Sequence, residues 1–527
     1  MIQAQTQRKE YWEKDFSLND SDVEQLYNHF LETEKPQTVE QLAAVVMAHR
    51  VSQELRSLER TMKGRQIYQP QNNYEIGAEL VFPALRFAEG TVTGVRPGFN
   101  PQEGSFQVVA VDMKGRTREF VADYQKPHLL STDESISLVD LLDIDVEALY
   151  QQFGSGLVEK VRRTLASHSD FVELGSYWFV KSLMAEINIG HLHLSEAVLE
   201  INEGGPMRVE EILPNLDLDP NVDPEVQRFS LNYALLKDDR FEDVGGRNRV
   251  AWFLKRLEPL EVRETPGRLV FRPVEYNRSS LSPQLRLLER ELDDEWSDLK
   301  APDGEEPALI NLTFPHRWAG TLPISARVRP LLDSGRAPRQ RLRLVDDEEG
   351  ETIIAWAVHE GRYIYGLKEW YEKNEMPIGS FITLSPSGES DTLLLSYERR
   401  RPQREWVRLA TVADNRIQFE LKRRSIGSGY DDLMIVGTDV VAAIDALWRR
   451  AEANQRPLVS LLAEIFPSLA ALTPQNTVHA KTLYSALNML KRMPPGPIFA
   501  ELVTNPAFQT VGDHYWMFDE SRLQGRR

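Results

Sequence analysis

Apolar residues recur at helical spacing near the start of the chain. Val23, Leu26 and Phe30 fall on one helix face that Asp20 or Ser21 can cap. Thr38 can cap a second helix carrying the apolar run LAAVVMA, and Pro36 marks the turn between the two. From Tyr74 the period shortens. YEIGAELVFPAL, GTVTGVRPG, SFQVVAVDM and TREFVAD are β-rich runs broken by Gly, with a hairpin signal at Pro97–Gly98 and Asn100–Pro101. Five or so such strands within about 55 residues predict a small barrel.

Helical periodicity returns over 138–259, interrupted by short strand pairs. RLVFRPVEY (268–276) reads as a strand, and a helix follows from Pro283. Nine acids lie between Glu289 and Glu306: Glu289, Glu291, Asp293, Asp294, Glu295, Asp298, Asp303, Glu305 and Glu306. With Pro302, Gly304 and Pro307 among them, they predict a solvated helix end running into a linker. Strands dominate from Leu309 to about Ile435, and Val440–Arg450 opens a final helical region.

One pattern occurs three times. FVELGSYWF (171–179), FEDVGGRNRVAWF (241–253) and FQTVGDHYWMF (508–518) each place Leu or Val three residues after Phe, then Gly, then Trp and Phe. An amphipathic segment precedes each: LVEKVRRTLASH, VQRFSLNYALL and IFAELVTN. A helix delivering Phe to a core, a Gly turn and a returning strand bearing Trp account for the spacing. Ahead of the second copy, LSEAVLEI and MRVEEIL add two further helices. The F-x-x-[LV]-G stretch with Trp following, as FVELGSYW, resembles the HARE helix-turn-helix winged-helix family, known from the delta subunit of bacterial RNA polymerase and from chromatin and restriction proteins. That resemblance implies transcription or chromatin contact rather than catalysis. Only the helix before Phe171 carries a cationic set, Lys160, Arg162 and Arg163. It is the copy expected to touch phosphate, and the other two suit protein partners.

In the strand-rich middle, a strand ending at Trp356 turns at Glu360–Gly361 and returns through Tyr363 and Tyr365. A short helix Leu367–Lys373, a turn Met376–Ser380 and the strand FITL follow. Trp356, Tyr363, Leu367, Trp370, Tyr371 and Pro377–Ile378–Gly379–Ser380 resemble the DNA-binding pseudobarrel of plant auxin-response-type factors and of some restriction-enzyme recognition domains. Glu369 stands where that family has Gly, and Ser380 where it has Asp.

Charge sharpens this picture. The 527 residues carry a net charge of −18, which opposes indiscriminate coating of nucleic acid. Two islands run the other way. Arg317, Arg327, Arg329, Arg336, Arg339, Arg341 and Arg343 share their stretch with Asp333 alone. From Glu398 to Arg424 nine cations face four acids: Arg399, Arg400, Arg401, Arg404, Arg408, Arg416, Lys422, Arg423 and Arg424. Arginine suits bidentate contact with phosphate or guanine. The predicted nucleic-acid-binding set is therefore the cations of the first repeat, the seven arginines of the first island, and Arg399, Arg400, Arg401, Arg404, Lys422, Arg423 and Arg424.

There are no cysteines, which excludes disulfides, thiolate nucleophiles, iron–sulfur clusters and cysteine-based zinc fingers. MIQAQTQRKEYWEKDF has no apolar core and no long apolar run follows, so the expectation is a cytoplasmic or nucleoid-associated protein without a membrane span. No Walker loop, dinucleotide fingerprint or nucleophile elbow is present. His191, His193 and Glu196 lack further ligands for a metal. Asp414, Glu420 and Lys422 only imitate a nuclease pattern.

The expected fold class is multidomain α+β: repeated winged-helix units, a small SH3-like β-barrel and a β-pseudobarrel. The expected divisions are a helical region 1–70, the SH3-like barrel 72–130, a winged-helix-like unit 134–190 and a winged helix 191–262. A strand, helix and acidic linker (263–308), the pseudobarrel 309–437 and a winged-helix-like unit 438–527 complete them. The expected function is non-enzymatic duplex-DNA binding, with no catalytic residue, metal or cofactor. A protein scaffold on RNA polymerase or chromatin is the alternative, and a restriction- or nuclease-associated role the third reading.

Overall fold

The computed structural model describes residues 4–128, 130–131, 144–246, 249–332, 337–389, 391–435 and 437–523. It is a mixed α+β chain with several separate sheets, one of them nearly closed and barrel-like. Two compact units divide it: Met1–Asn188 with Leu218–Tyr233, and Ile189–Asp217 with Ala234–Arg527. No helix among the described residues is long and apolar enough to cross a membrane.

In the first unit the helices Asp20–Thr33 and Val39–Met62 pack with the helix Val146–Ser167 around Leu26, Phe30, Val46, Leu157 and Val161. The first cap is Asn19, one residue earlier than expected. Its side chain accepts from the Asp22 amide while the Asp22 carboxylate accepts from the Asn19 amide at 2.9 Å. That reciprocal pair fixes the boundary. Thr38 caps the second helix. The Phe30 ring lies 6.0 Å from Phe171 and 5.9 Å from Phe179. Residues of the expected 1–70 and 134–190 divisions thus share one core. Between its second and third helices sits a five-stranded sheet, in the order Gln66–Ile67, Glu79–Phe82, Ala88–Pro97, Gln107–Met113, Arg116–Ala122.

The three Phe–Gly–Trp motifs share one register. Each Phe faces the residue two beyond its Trp: Phe171 faces Val180, Phe241 faces Leu254 and Phe508 faces Phe518. Each Trp also pairs with a short segment ahead of the next helix: Trp178 with Gln37, Trp252 with Met207, Trp516 with Val478. All six of these Phe and Trp side chains are buried. The first and third copies turn through Gly175 and Gly512 at φ of 59° and 100°, a region that favours glycine. In the second copy Gly245 serves a different need, since a Cβ there would collide with the Arg249 carbonyl.

In the second unit a seven-stranded sheet runs in the order Ala308–Asn311, Phe381–Pro386, Thr392–Tyr397, Arg339–Asp346, Thr352–Val358, Tyr363–Tyr365, Thr321–Pro323. The helix Phe314–Ala319 links its two edge strands along the chain. Leu322, Leu342, Ala355, Ile364, Ile382 and Leu395 fill its interior, and Trp370 and Tyr371 pack against them.

Two expectations fail here. Residues 268–276 form no strand: Gly267–Leu269 is a single 3₁₀ turn, and the chain beyond it joins no ladder. Arg268 pins this segment, its Nε donating to Asp445 at 3.0 Å and its guanidinium lying over Phe314 and Trp448. The acidic stretch is not a solvated helix end either. Glu289, Asp293, Asp294 and Glu295 are buried, while Glu291 and the later acids are exposed. Asp294 and Glu295 meet the Arg492 guanidinium at 2.7 and 2.6 Å. Glu295 also contacts His316 at 3.2 Å, and Tyr484 donates to Asp294 at 2.7 Å. Burial pushes Asp294 up. Burial would raise Glu295 too, but Arg492 and His316 hold it well below the usual carboxylate range. Buried acids require such partners, and Arg492 and Tyr484 lie almost two hundred residues away, beyond any local pattern.

Candidate nucleic-acid interface

The strands Arg399–Ala413 and Arg416–Ser428 form the longest hairpin among the described residues. Asp414 and Asn415 close it at φ of 50° and 61°, the left-handed pair that a tight hairpin turn needs and that Asp and Asn tolerate. Directly opposed residues of an antiparallel pair share a face. One face therefore carries the pairs Val412/Ile417, Ala410/Phe419, Arg408/Leu421, Trp406/Arg423 and Arg404/Ser425.

Along that face the environment changes. Near the turn, Ala410, Ile417 and Phe419 are buried in the core that includes the helix Leu458–Ala470. The Phe419 amide donates to the Ser468 hydroxyl at 2.8 Å, tying the strand to that helix. Further from the turn the face opens to solvent. Trp406 is 64% exposed, Leu421 is 43% exposed, and Arg404 and Arg423 are exposed beside them. The Arg423 guanidinium lies 5.7 Å from the Trp406 ring centroid. An exposed indole flanked by arginines offers an aromatic surface and positive charge together. The opposite face buries Val407, Leu409 and Ile426 against Tyr430.

The other cations of this hairpin divide by partner. Arg399 pairs with Glu348 and Glu349 at 2.7 and 2.8 Å, and Arg400 with Glu398 at 2.9 Å. Lys422 and Arg424 share Asp439, which their hydrogen bonds hold below the usual carboxylate range. Arg408 donates to the Asp432 carbonyl. Arg401, Arg404 and Arg416 are exposed with no partner among the described residues.

The first arginine island is mostly built into the fold. Arg317 donates to the Met376 carbonyl at 2.9 Å and lies over Tyr371, and burial lowers its pKa. Arg327 donates to the Arg290 carbonyl at 2.7 Å. Arg339 reaches Glu242 at 2.6 Å and the Val262 carbonyl at 2.9 Å. Arg341 is held by the Gly205 carbonyl and packs on Phe253. Arg343 meets Glu389 at 3.1 Å at the surface. The Arg329 Nε is buried without a hydrogen-bond acceptor among the described residues. Arg336 lies outside the described residues. These arginines do not converge with the hairpin set into one patch of free cations.

In the first repeat, the Lys160 ammonium donates to the carbonyls of Trp12, Glu13 and Phe16 at 2.8, 3.3 and 3.0 Å. Arg162 pairs with Glu173 at 2.5 Å. Arg163 alone of the three is exposed without a partner among the described residues.

Trp406 is not distinguished by the arginine count of its stretch. The alternation R-E-W-V-R, with Val inward and Arg–Trp–Arg outward, was the available signal. For metals, no group of three or more His, Asp or Glu among the described residues is placed to hold an ion. Asp414 sits in the hairpin turn, while Glu420 lies five strand positions along, roughly 16 Å at 3.3 Å per residue. Glu196 is engaged by Arg240 and Arg256. No known protein family, curated protein or solved structure matches this chain.

Proposed function

We propose that this chain binds duplex DNA, without catalysing a reaction on it, through the open face of the Arg399–Ser428 hairpin. The observation that carries the reading is Trp406, exposed between Arg404, Arg408 and Arg423. Arg404 lies on that face with no acid partner among the described residues, and Arg401 and Arg416 add such cations elsewhere on the hairpin. Phosphates attract such arginines at short range, and screening over roughly 8 Å at physiological salt mutes the distant acids. The barrel-like seven-stranded sheet supports the pseudobarrel resemblance.

The order helix, strand, helix, helix and hairpin, found in the first and third repeats, supports reading them as winged helices. The second repeat follows the same order with a bridge at Met207 in place of the first strand. The sequential five-stranded sheet supports the SH3-like reading of 72–130. One observation favours a second reading, a scaffold on RNA polymerase or chromatin: Lys160 and Arg162 are engaged within the chain, which suits the winged units to protein contact.

A mobility-shift titration of the full chain on a random-sequence duplex separates the two. A shift that weakens steeply with salt is the expected result. No shift, with co-purification of polymerase, would transfer the function to protein contact.

A further inference from the structure

A second site lies on the five-stranded sheet of the first unit. It is a cleft of about 510 Å³, within the range of ligand-binding pockets. Its floor is a triangle of rings: Phe82 lies 4.7 Å from Tyr68 and 4.4 Å from Phe120, with Tyr68 and Phe120 5.4 Å apart. Its wall is Phe106 edge-on to Tyr124, with centroids 6.3 Å apart. The hairpin residue Gly98 makes this wall possible, because a Cβ there would collide with the Phe106 ring.

The charged lining has one dominant sign. Glu103 and Glu119 line the cleft with His128, and no Lys or Arg among the described residues does. Tyr124 donates to Glu103 at 2.6 Å, fixing both groups in place. Lys126 and Arg96 approach these carboxylates at 3.1 and 2.8 Å. These contacts hold both acids below their ordinary pKa: Tyr124 and then Lys126 act on Glu103, and Arg96 acts on Glu119. Ring faces carry a negative quadrupole, and carboxylates at the rim add full charge. The ring faces favour a cation over phosphate, and the two acids add to that only the attraction that Lys126 and Arg96, at the outer edge, leave over.

We infer that this cleft binds a cationic side chain, lysine or arginine, presented by a peptide segment of a partner protein. The chain's basic hairpin and this acidic aromatic cleft then take ligands of opposite charge. The inference does not rest on DNA binding by the hairpin.

The test overlays the full chain on an array of randomised short peptides whose central position is fixed as Arg, Lys, trimethyl-lysine, norleucine or Glu. Binding is expected only where the fixed residue is cationic. It should fall about tenfold in Tyr124→Ala, and comparably in the Glu103→Gln, Glu119→Gln double variant. The double variant changes only surface carboxylates, so it reports on the cleft even where Tyr124→Ala unfolds the sheet. Equal binding to norleucine peptides, unchanged binding by the double variant, or no binding at any fixed residue overturns the proposal. Cleft-dependent capture of single-stranded DNA would assign the rings to bases and overturn it as well.

Discussion

Trp406 stands directly opposite Arg423 across the long hairpin, with the guanidinium carbon 5.7 Å from the indole centroid. The pair holds an apolar ring in solvent beside unneutralised charge, an arrangement that contributes little to the core and much to a contact surface. Trp406→Ala should weaken DNA affinity by about 1–2 kcal/mol and leave the melting temperature unchanged. The loss should be larger on a duplex with a bulged base, where a ring is free to stack. A melting shift without an affinity change would return Trp406 to a structural role.

Lys160 leads to the opposite expectation. Its ammonium ties down three carbonyls of the N-terminal segment. Lys160→Met should cost about 1–3 kcal/mol of stability by leaving those acceptors unpaired. Its DNA affinity should stay within about twofold of the parent, because no phosphate contact is removed. Denaturant titration and a mobility shift on the same preparation check both halves.

Arg492 neutralises two buried carboxylates, Asp294 and Glu295. Arg492→Met should destabilise the chain by about 3–5 kcal/mol, because it strands buried charge rather than removing a surface pair. Restoring neutrality with Asp294→Asn in the same chain should recover part of that loss. Equal stability of Arg492→Met and parent would mean that the acids ionise without it.

Glu258 supplies a pH dependence. Burial first, and then the neighbouring Glu242 carboxyl, push it up to about 8. In the unfolded chain it ionises near ~4.3. Between these values the native state keeps a proton that the unfolded state has lost, so this group's contribution to stability falls as pH rises through that window. Thermal melts of Glu258→Gln should lack that decline and gain most on the parent near the top of the window. Parallel pH profiles for the two chains would contradict the assignment.

Local patterns were legible wherever neighbours in sequence are neighbours in space. The Phe171, Phe241 and Phe508 motifs announced hairpins, because a turn and two short strands are a local unit. Thr38 announced its helix for the same reason. The partners of those hairpins were not legible. Gln37 pairs with Trp178 across an inserted five-stranded sheet, and no periodicity links the two. Charge misled for a related cause. Lys160 and Arg339 read as free cations, and Asp294 and Glu295 as solvated acids, because the acceptors and cations that engage them lie far along the chain. Among arginines on strands, sequence reported how many there are, and only the fold sorts anchored Arg317 from open Arg404.

The central claim is that the Arg399–Ser428 hairpin binds DNA through its unneutralised arginines together with Trp406. Its most direct test is the duplex affinity of the full chain across a salt series, alongside a variant combining Arg401→Glu, Arg404→Glu and Arg416→Glu. If about five cations reach phosphate, log K should fall against log salt with a slope near −4 to −5. The variant should lose orders of magnitude in affinity and most of that slope while melting like the parent, since exposed charges contribute little to stability. A flat salt response in the parent, or an affinity unchanged by the three reversals, would contradict the account.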